Sequence, residues 1–264
     1  MTPAGASAAR RGFGQTSRND AWWLQPLTVF IGLSIFLVYA NIRVFQNANF
    51  EFGGYLTPFY SPLLWGDSPH AWFQGVPEWL PRWVSPAMVI LVFPAGFRFT
   101  CYYYRGAYYK AFWGDPPACA VGELRDEFRG ENSLPLIVQN VHRYFLYFAI
   151  AFLFLLAHDA WKGMWFDDGA GGTEFGIGVG TIVLTLNVVF LSGYTLGCHS
   201  LRHLVGGFLD AFSGSKGRKK AWDCVTCLNE HHMKWAWVSL IWVMFTDFYV
   251  MMLASGTWTD WRIL

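Results

Sequence analysis

Long apolar runs alternate with short polar, charged stretches along almost the whole chain. A helix needs about 20 apolar residues to cross the roughly 30 Å hydrocarbon core of a bilayer, and five runs meet that length. The pattern predicts helix I over 27–45, helix II over 84–104 with Pro94 interrupting it, and helix III over 136–157. It predicts helix IV over 175–197, with glycines suited to close helix packing, and helix V over 233–253. The stretch 46–83 is polar and rich in Pro and Trp, so it reads as an ordered surface segment between helices I and II and not as another span. The predicted fold class is an all-α integral membrane protein: a five-helix transmembrane bundle with an ordered extracytoplasmic I–II segment. Residues 1–26 are expected to form a cytoplasmic tail and 27–264 the anchor domain. Residues 1–20 carry Arg10, Arg11 and Arg18 but no apolar core, so they do not read as a cleavable leader.

Loop charge gives the bundle a direction. Arg10, Arg11, Arg18, Arg105, Lys110, Arg125, Arg129, Arg202, Lys216, Arg218, Lys219 and Lys220 fall on the side of the N-terminal tail and the II–III and IV–V loops. Arg43, Arg82, Lys162 and Arg262 fall on the other. Cytoplasmic loops carry the excess of Lys and Arg, so the N-terminus is expected in the cytoplasm and the protein in the cell's inner or plasma membrane.

Composition agrees. Of the 264 residues, 54% are hydrophobic and 14% charged, with 15 Trp, 12 Tyr and 24 Phe; soluble domains carry about 25% charged residues. Tyr and Trp suit the membrane interface, where one end of the ring is wet and the other apolar. A net charge of +1 offers no strong basic field for phosphates, which argues against a nucleic-acid partner.

On this topology all five cysteines, Cys101, Cys119, Cys198, Cys224 and Cys227, fall on the cytoplasmic side. So do His142, His199, His203, His231 and His232, leaving only His70 and His158 elsewhere. Structural disulfides are rare in the reducing cytoplasm. Thiolates with imidazoles suit zinc, an iron–sulfur centre or, through histidines alone, a haem. Each has a plainer alternative. A free Cys is often a small buried hydrophobe, and His199 with His203 at a helix end also complements the helix dipole. Cys224-x-x-Cys227 is half of a zinc or redox motif. Arg98 stands in the last turns of helix II, where an ionisable group is costly unless paired or functional; it either snorkels to the surface or donates to a quinone carbonyl. His142, His158 and Asp247 are candidates for a proton path, with interhelical hydrogen bonding as the plainer role.

Several motifs carry a family resemblance: Cys101-Tyr-Tyr-Tyr-Arg-Gly-Ala-Tyr-Tyr-Lys-Ala-Phe-Trp113, Asp115-Pro-Pro-Ala-Cys119-Ala-Val121, Gln139-Asn-Val-His-Arg-Tyr144, Cys198-His-Ser-Leu-Arg-His203 and Leu228-Asn-Glu-His-His-Met233. Together the chain resembles the membrane anchor of the actinobacterial, single-anchor type of succinate dehydrogenase, respiratory complex II. The resemblance implies five helices, flavoprotein and iron–sulfur subunits docked on the cytoplasmic face, and electrons passing from succinate to membrane quinone, menaquinone or ubiquinone. A higher oligomer of the complex is also compatible with it. Members of this class hold either a Rieske-type [2Fe–2S] cluster or b haems.

Two haems need paired histidines near each face, and the outer half offers only His158 and the loop residue His70, so the cluster is the preferred reading. The C-x-H and C-x-x-H pairs of soluble Rieske domains are absent, so the ligands are expected from separate helices. The resemblance and the helix rise together nominate Cys101, Cys119 and Cys198 as thiolates and His203 and His232 as imidazoles, with His199 as substitute. Arg98, Tyr102 and Trp235 are nominated for the quinone pocket. The rival from another class is a non-redox transporter or scaffold with a cytoplasmic metal or thiol site.

Overall fold

The computed structural model describes residues 12–122, 132–134 and 136–264; Arg10, Arg11, Arg125 and Arg129 lie outside them. Among the described residues, four helices are long and apolar enough to cross a membrane: α1 (Leu24–Gln46), Ile137–Lys162, α6 (Val179–Leu196) and α9 (His232–Ala254). The second of these is a 3₁₀ turn over Leu136–Val141 running into α5 (His142–Lys162). These match predicted helices I, III, IV and V to within a few residues at most ends; helix III starts its α-helical part later and both it and helix IV shift by up to five residues.

Predicted helix II is broken. It comprises α2 (Pro86–Ile90), α3 (Val92–Thr100), α4 (Tyr102–Tyr108) and a π-helical turn over Tyr109–Trp113. The first two pieces are bent by 76° from the last two. The α2–α3 break has a local cause: Pro94 has no N–H for the carbonyl of Ile90, four residues before it. The sharper bend falls at Cys101, whose extended φ and ψ of −62° and 135° start α4 afresh. The following Tyr102-Tyr-Tyr run has only modest helix propensity, so nothing local holds the helix straight there.

By contacts the chain divides into two compact units, 1–35 with 99–140, and 36–98 with 141–264. In the first unit the chain before α1 pairs with the chain after the π turn through a bridge between Thr16 and Val121. Gly114 closes the π turn in the left-handed region (φ 63°), and a Cβ there would meet the Phe13 ring at 2.6 Å, so glycine is required.

The second unit is organised around α5, α6 and α9. Trp242 Nε1 donates to the Val183 carbonyl at 3.0 Å. The Trp235 indole lies so flat on Gly193 that a Cβ would sit 2.6 Å from it, which is the close approach that small residues permit between membrane helices. α1 exposes Ile35, Val38, Ile42 and Phe45; an unbroken apolar face of that kind is matched by lipid tails and not by water.

The segment after α1 is ordered, as expected, but it is more than a surface cover. Its hairpin β1 (Glu51–Phe52) and β2 (Tyr55–Leu56) and a 3₁₀ turn over Pro58–Tyr60 carry Leu56, Phe59, Tyr60 and Leu63, all at most 3% exposed. These side chains plug the bundle against Phe36, Tyr39 and Val44 of α1, Leu191 of α6 and Val243 of α9. A second pair, β3 (Trp65–Gly66) with β4 (Phe73–Gln74), is parallel. The α5–α6 connection is a hairpin, β5 (Trp165–Asp167) with β6 (Thr173–Phe175). Between α6 and α9 run the polar helices α7 (His199–Gly206) and α8 (Lys216–Glu230).

Two carboxylates, the buried Asp247 and the half-buried Asp260, tie the unit at the end opposite His142. Asp247 of α9 accepts from Arg43 Nε (2.7 Å) and Tyr39 Oη (2.6 Å) of α1. Asp260 accepts from Tyr55 Oη and Tyr249 Oη (both 2.7 Å) and from the Gly180 N–H at the start of α6 (2.9 Å). Burial and the neighbouring Asp260 carboxylate push the Tyr55 phenol up, which keeps it a donor.

Candidate functional site

The break between α6 and α7 sets up the site. Gly197 ends α6, and a Cβ there would stand 3.1 Å from the Leu228 backbone of α8. Asn229 Nδ2 fixes the crossing by donating to the Gly197 carbonyl at 2.8 Å. The chain then turns extended at Cys198 (φ −67°, ψ 139°), and its side chain points into the unit with 2% exposure. There Cys198 Sγ lies 3.0 Å from Nε2 of His142, the first residue of α5, itself buried.

A file of aromatic rings extends from this pair. Phe97 of α3 stacks on the His142 imidazole (4.5 Å, 10°) and meets Tyr194 of α6 edge-on at 5.5 Å. Tyr194, 1% exposed, stacks on the His232 imidazole at the start of α9 (5.0 Å, 19°). Arg98 lies over the other contact surface of this file, its guanidinium carbon 4.5 Å from the Tyr194 ring centre. Its Nη2 donates to Ser239 Oγ (2.9 Å) and Nη1 to the Ala236 carbonyl (3.3 Å), both on α9.

Arg98, Phe97 and Tyr194 also line an apolar cavity of about 140 Å³. Its other walls are Phe36 and Ala40 of α1, Pro58 and Phe59 of the inserted turn, Ala149 to Leu156 of α5, Leu191 and Thr195 of α6, and Val243 of α9. The result is a fixed cation, braced by helix α9 and an aromatic face, in the wall of a mainly hydrocarbon space.

The predicted ligands separate into groups. Cys198 and His232 lie in this site. His199 and His203 do not: they sit on the exposed face of α7, Nε2 to Nε2 at 3.0 Å. Burial, helped by His203 and Arg202, pushes the His199 imidazole down. Cys101 is buried at the start of α4, and Cys119 is exposed, both in the other unit. The Cys119 carbonyl accepts from Arg18 Nη1 at 2.7 Å, and the residue lines a larger cavity of about 610 Å³ with Trp22, Tyr102 and Lys110. Cys224 and Cys227 are exposed on α8.

Of the residues nominated for quinone, Arg98 lines the apolar cavity. Tyr102 lies under the Arg105 guanidinium (4.2 Å) in the first unit, and Trp235 packs on Gly193. Of the proton-path candidates, His142 faces Cys198, Asp247 is tied to Arg43, and His158 is exposed with Nδ1 3.8 Å from Asp159.

Sequence reasoning missed Phe97, Tyr194 and Ser239. Phe97 had a usable signal, its adjacency to Arg98 on the helix that Pro94 interrupts. Tyr194 and Ser239 had none, because a Tyr or Ser inside an apolar span reads as an ordinary packing residue until the facing helix is known.

Comparison with known proteins settles the family. The family model described as actinobacterial succinate dehydrogenase subunit SdhC matches residues 24–256. The chain belongs to that family. This SdhC-type membrane anchor is therefore a subunit of a succinate dehydrogenase complex, and its apolar helices make it a multi-pass membrane protein. Among solved structures it is similar to a chain of the Mycobacterium smegmatis Sdh1 complex in the apo form, with 41% identity, a TM-score of 0.87, and coverage of 100% of this chain and 98% of that one. No curated protein sequence matches. The transporter or scaffold alternative falls with this result.

The donors can be tested against the two groups considered for this SdhC anchor. His142 Nε2 faces the Cys198 sulfur, and a thiol beside an imidazole is the donor chemistry of a mixed thiolate–imidazole centre. Among the described residues, no three His, Cys, Asp or Glu side chains stand at metal-binding spacing.

Proposed function

We propose that this anchor passes electrons from a docked iron–sulfur subunit to a membrane quinone bound in the cavity that Arg98 closes. The observation that carries the reading is the guanidinium itself. A cation at membrane depth is costly unless it is paired or functional, and here Ser239, the Ala236 carbonyl and the Tyr194 ring hold it at the wall of an apolar space. A quinone head matches both features, an apolar ring for the cavity and a carbonyl oxygen for the donor.

The chain's own contribution is binding and charge placement. Arg98 donates to a carbonyl that gains negative charge as the ring is reduced, and a preorganised donor in a water-poor site favours that charge. Ser239 and Tyr194 fix the guanidinium so that little reorganisation accompanies the step. Phe97 separates the imidazole–thiol pair from the cavity by one ring.

For the redox centre we favour a Rieske-type [2Fe–2S] cluster over b haem, supported by the burial of Cys198 and His142 and by the mixed thiol and imidazole chemistry they share with the half-buried His232. His142 thus replaces His203 among the proposed imidazoles. Such a centre takes two thiols; this unit offers Cys198, and the sequence reading nominates Cys101 and Cys119 beside it. When bound, the cluster would supply one-electron steps at a raised potential. The partners would be the flavoprotein and iron–sulfur subunits on the cytoplasmic face, with the N-terminus on that side.

The test is Arg98→Leu in the intact complex. The quinone KM should rise by about tenfold to a hundredfold, the worth of a hydrogen bond from a charged group, while succinate oxidation by a soluble dye acceptor stays unchanged. An unchanged KM overturns the reading.

A further inference from the structure

The larger cavity, of about 610 Å³, lies wholly within the first unit, and the quinone reading does not draw on it. Two helix faces wall it. Gln25, Pro26 and Val29 share one face at the start of α1. Tyr103, Gly106, Ala107, Lys110 and Ala111 repeat at three and four residues and so share one face of α4 and the π turn. Pro117, Ala118 and Cys119 close a third side.

These walls are fixed to one another. The chain before α1 bridges from Thr16 to Val121, and the Thr16 hydroxyl donates to the Ala120 carbonyl at 2.9 Å. Arg18 Nη1 donates to the Cys119 carbonyl at 2.7 Å. Phe30 of α1 packs on Phe112 of the π turn, with ring centres 4.9 Å apart. The space is therefore preformed, and small residues keep it open: a Cβ added to Gly106 would meet nothing within 4 Å.

The lining is graded in polarity. Arg18 and Asp20 precede α1, and Lys110 is exposed beside the same space. Trp22, Tyr102 and Tyr103 also line it, and such rings favour the boundary between membrane and water. Val29 lies about 7.5 Å along α1 from Leu24, in a turn that exposes the apolar side chains of Leu27, Phe30 and Ile31. One end of the lining is thus charged and aromatic, and the other belongs to an apolar span.

Charge narrows the occupant. Arg18 is neutralised, since its Nε donates to Asp20 Oδ1 at 2.7 Å and its Nη2 donates to Oδ2. Among the described residues Lys110 has no ion-pair partner. Two cations and one carboxylate leave the lining with a single net positive charge. An ammonium at an aromatic boundary, above apolar walls, matches a phosphodiester that carries acyl chains; basic pockets beside transmembrane helices bind lipid headgroups in this way. A free phosphate ion would use the ammonium but not Pro26 and Val29. A neutral quinone would use those walls but not the charge.

We propose that this cavity seats one anionic glycerophospholipid, with its phosphate on Lys110 and its acyl chains passing Val29 along the exposed apolar side of α1. Native mass spectrometry of the detergent-solubilised complex tests this, with dioleoyl phosphatidylglycerol and dioleoyl phosphatidylcholine as paired probes. Phosphatidylglycerol should bind about fivefold more tightly, the worth of one basic side chain facing an anionic lipid. Lys110→Gln should erase that preference while phosphatidylcholine binding stays unchanged. Gly106→Phe, which fills the open space, should weaken both lipids. Inorganic phosphate in large excess should displace neither. Co-purification of the anchor with the flavoprotein shows that a variant has assembled, and because Lys110 is exposed its variant decides the matter even where Gly106→Phe does not assemble. Equal affinity for the two lipids, a preference that survives in Lys110→Gln, or displacement by inorganic phosphate overturns the proposal.

Discussion

Arg43 Nε donates to the Asp247 carboxylate at 2.7 Å, with both side chains at most 1% exposed, and so locks the end of α1 to the end of α9. The same guanidinium caps the chain that leaves α1. Its Nη1 donates to Gln46 Oε1 and the Ala48 carbonyl, and its Nη2 to the Asn49 carbonyl. Asn47 and Asn49 both take positive φ there, at 44° and 54°, a conformation that Asn tolerates better than most residues.

Removing one partner of this pair should therefore be severe. Arg43→Ala leaves a buried carboxylate without its cation, which costs about 3–5 kcal/mol. The expected outcome is a lower thermal midpoint for the detergent-solubilised complex and poor accumulation of the anchor in membranes. Arg43→Met combined with Asp247→Leu should recover much of the loss, because an apolar pair of similar volume is often as stable as a buried ion pair. A double variant no better than the single would show that the Asn49 and Ala48 contacts, and not the charge pair, dominate.

The cluster assignment makes a contrast between histidines. Cys198→Ala and His142→Ala should each abolish the anchor's low-temperature EPR signal in reduced complex, whereas His199→Ala and His203→Ala should retain it. Loss of the signal in His203→Ala with retention in His142→Ala would restore the ligand set read from sequence.

Ser239 acts on quinone only through Arg98. Ser239→Ala removes a single hydrogen bond to the guanidinium, worth about 1 kcal/mol, so the quinone KM should rise by roughly fivefold with kcat little changed. Tyr194→Leu removes the ring between Arg98 and His232, and should alter the EPR line shape as well as the KM. Kinetics with a water-soluble quinone analogue, measured beside the spectrum, check both.

A local pH response is expected in the β5–β6 turn. The Asp168 carboxylate accepts from the Ala170 and Gly172 N–H groups, both at 2.8 Å, and these bonds hold its pKa below the ordinary value. The stabilisation is present above the ordinary aspartate pKa of about 3.9 and is lost as pH falls through the lower folded value. Amide exchange at Ala170 and Gly172, corrected for intrinsic rates, should accelerate as the solution is acidified through that window. Asp168→Asn should flatten the response.

Much of this molecule is legible in one dimension. A bilayer imposes a length on apolar runs, so 27–45, 136–157, 175–197 and 233–253 announce four helices without any tertiary information. The family also shows in local motifs, such as the aromatic-basic run from Cys101 to Trp113. The bend at Cys101 was invisible, since no proline or glycine marks it.

Sequence by itself determined which residues can do chemistry and in which spans they fall; only the tertiary structure decided which of them meet. His142, Cys198 and His232 lie on three different elements, and nothing in their spacing distinguishes His142 from His203. Arg43 reads as a loop charge until α9 brings Asp247 beside it. Asp159 reads as a helix-end acid until the inserted turn brings Ser61 to it. Helix periodicity fixes the neighbours of a residue on its own helix. The neighbours across the bundle are set by how glycines such as Gly193 and Gly197 let helices approach, and that is a property of packing, which no single segment contains.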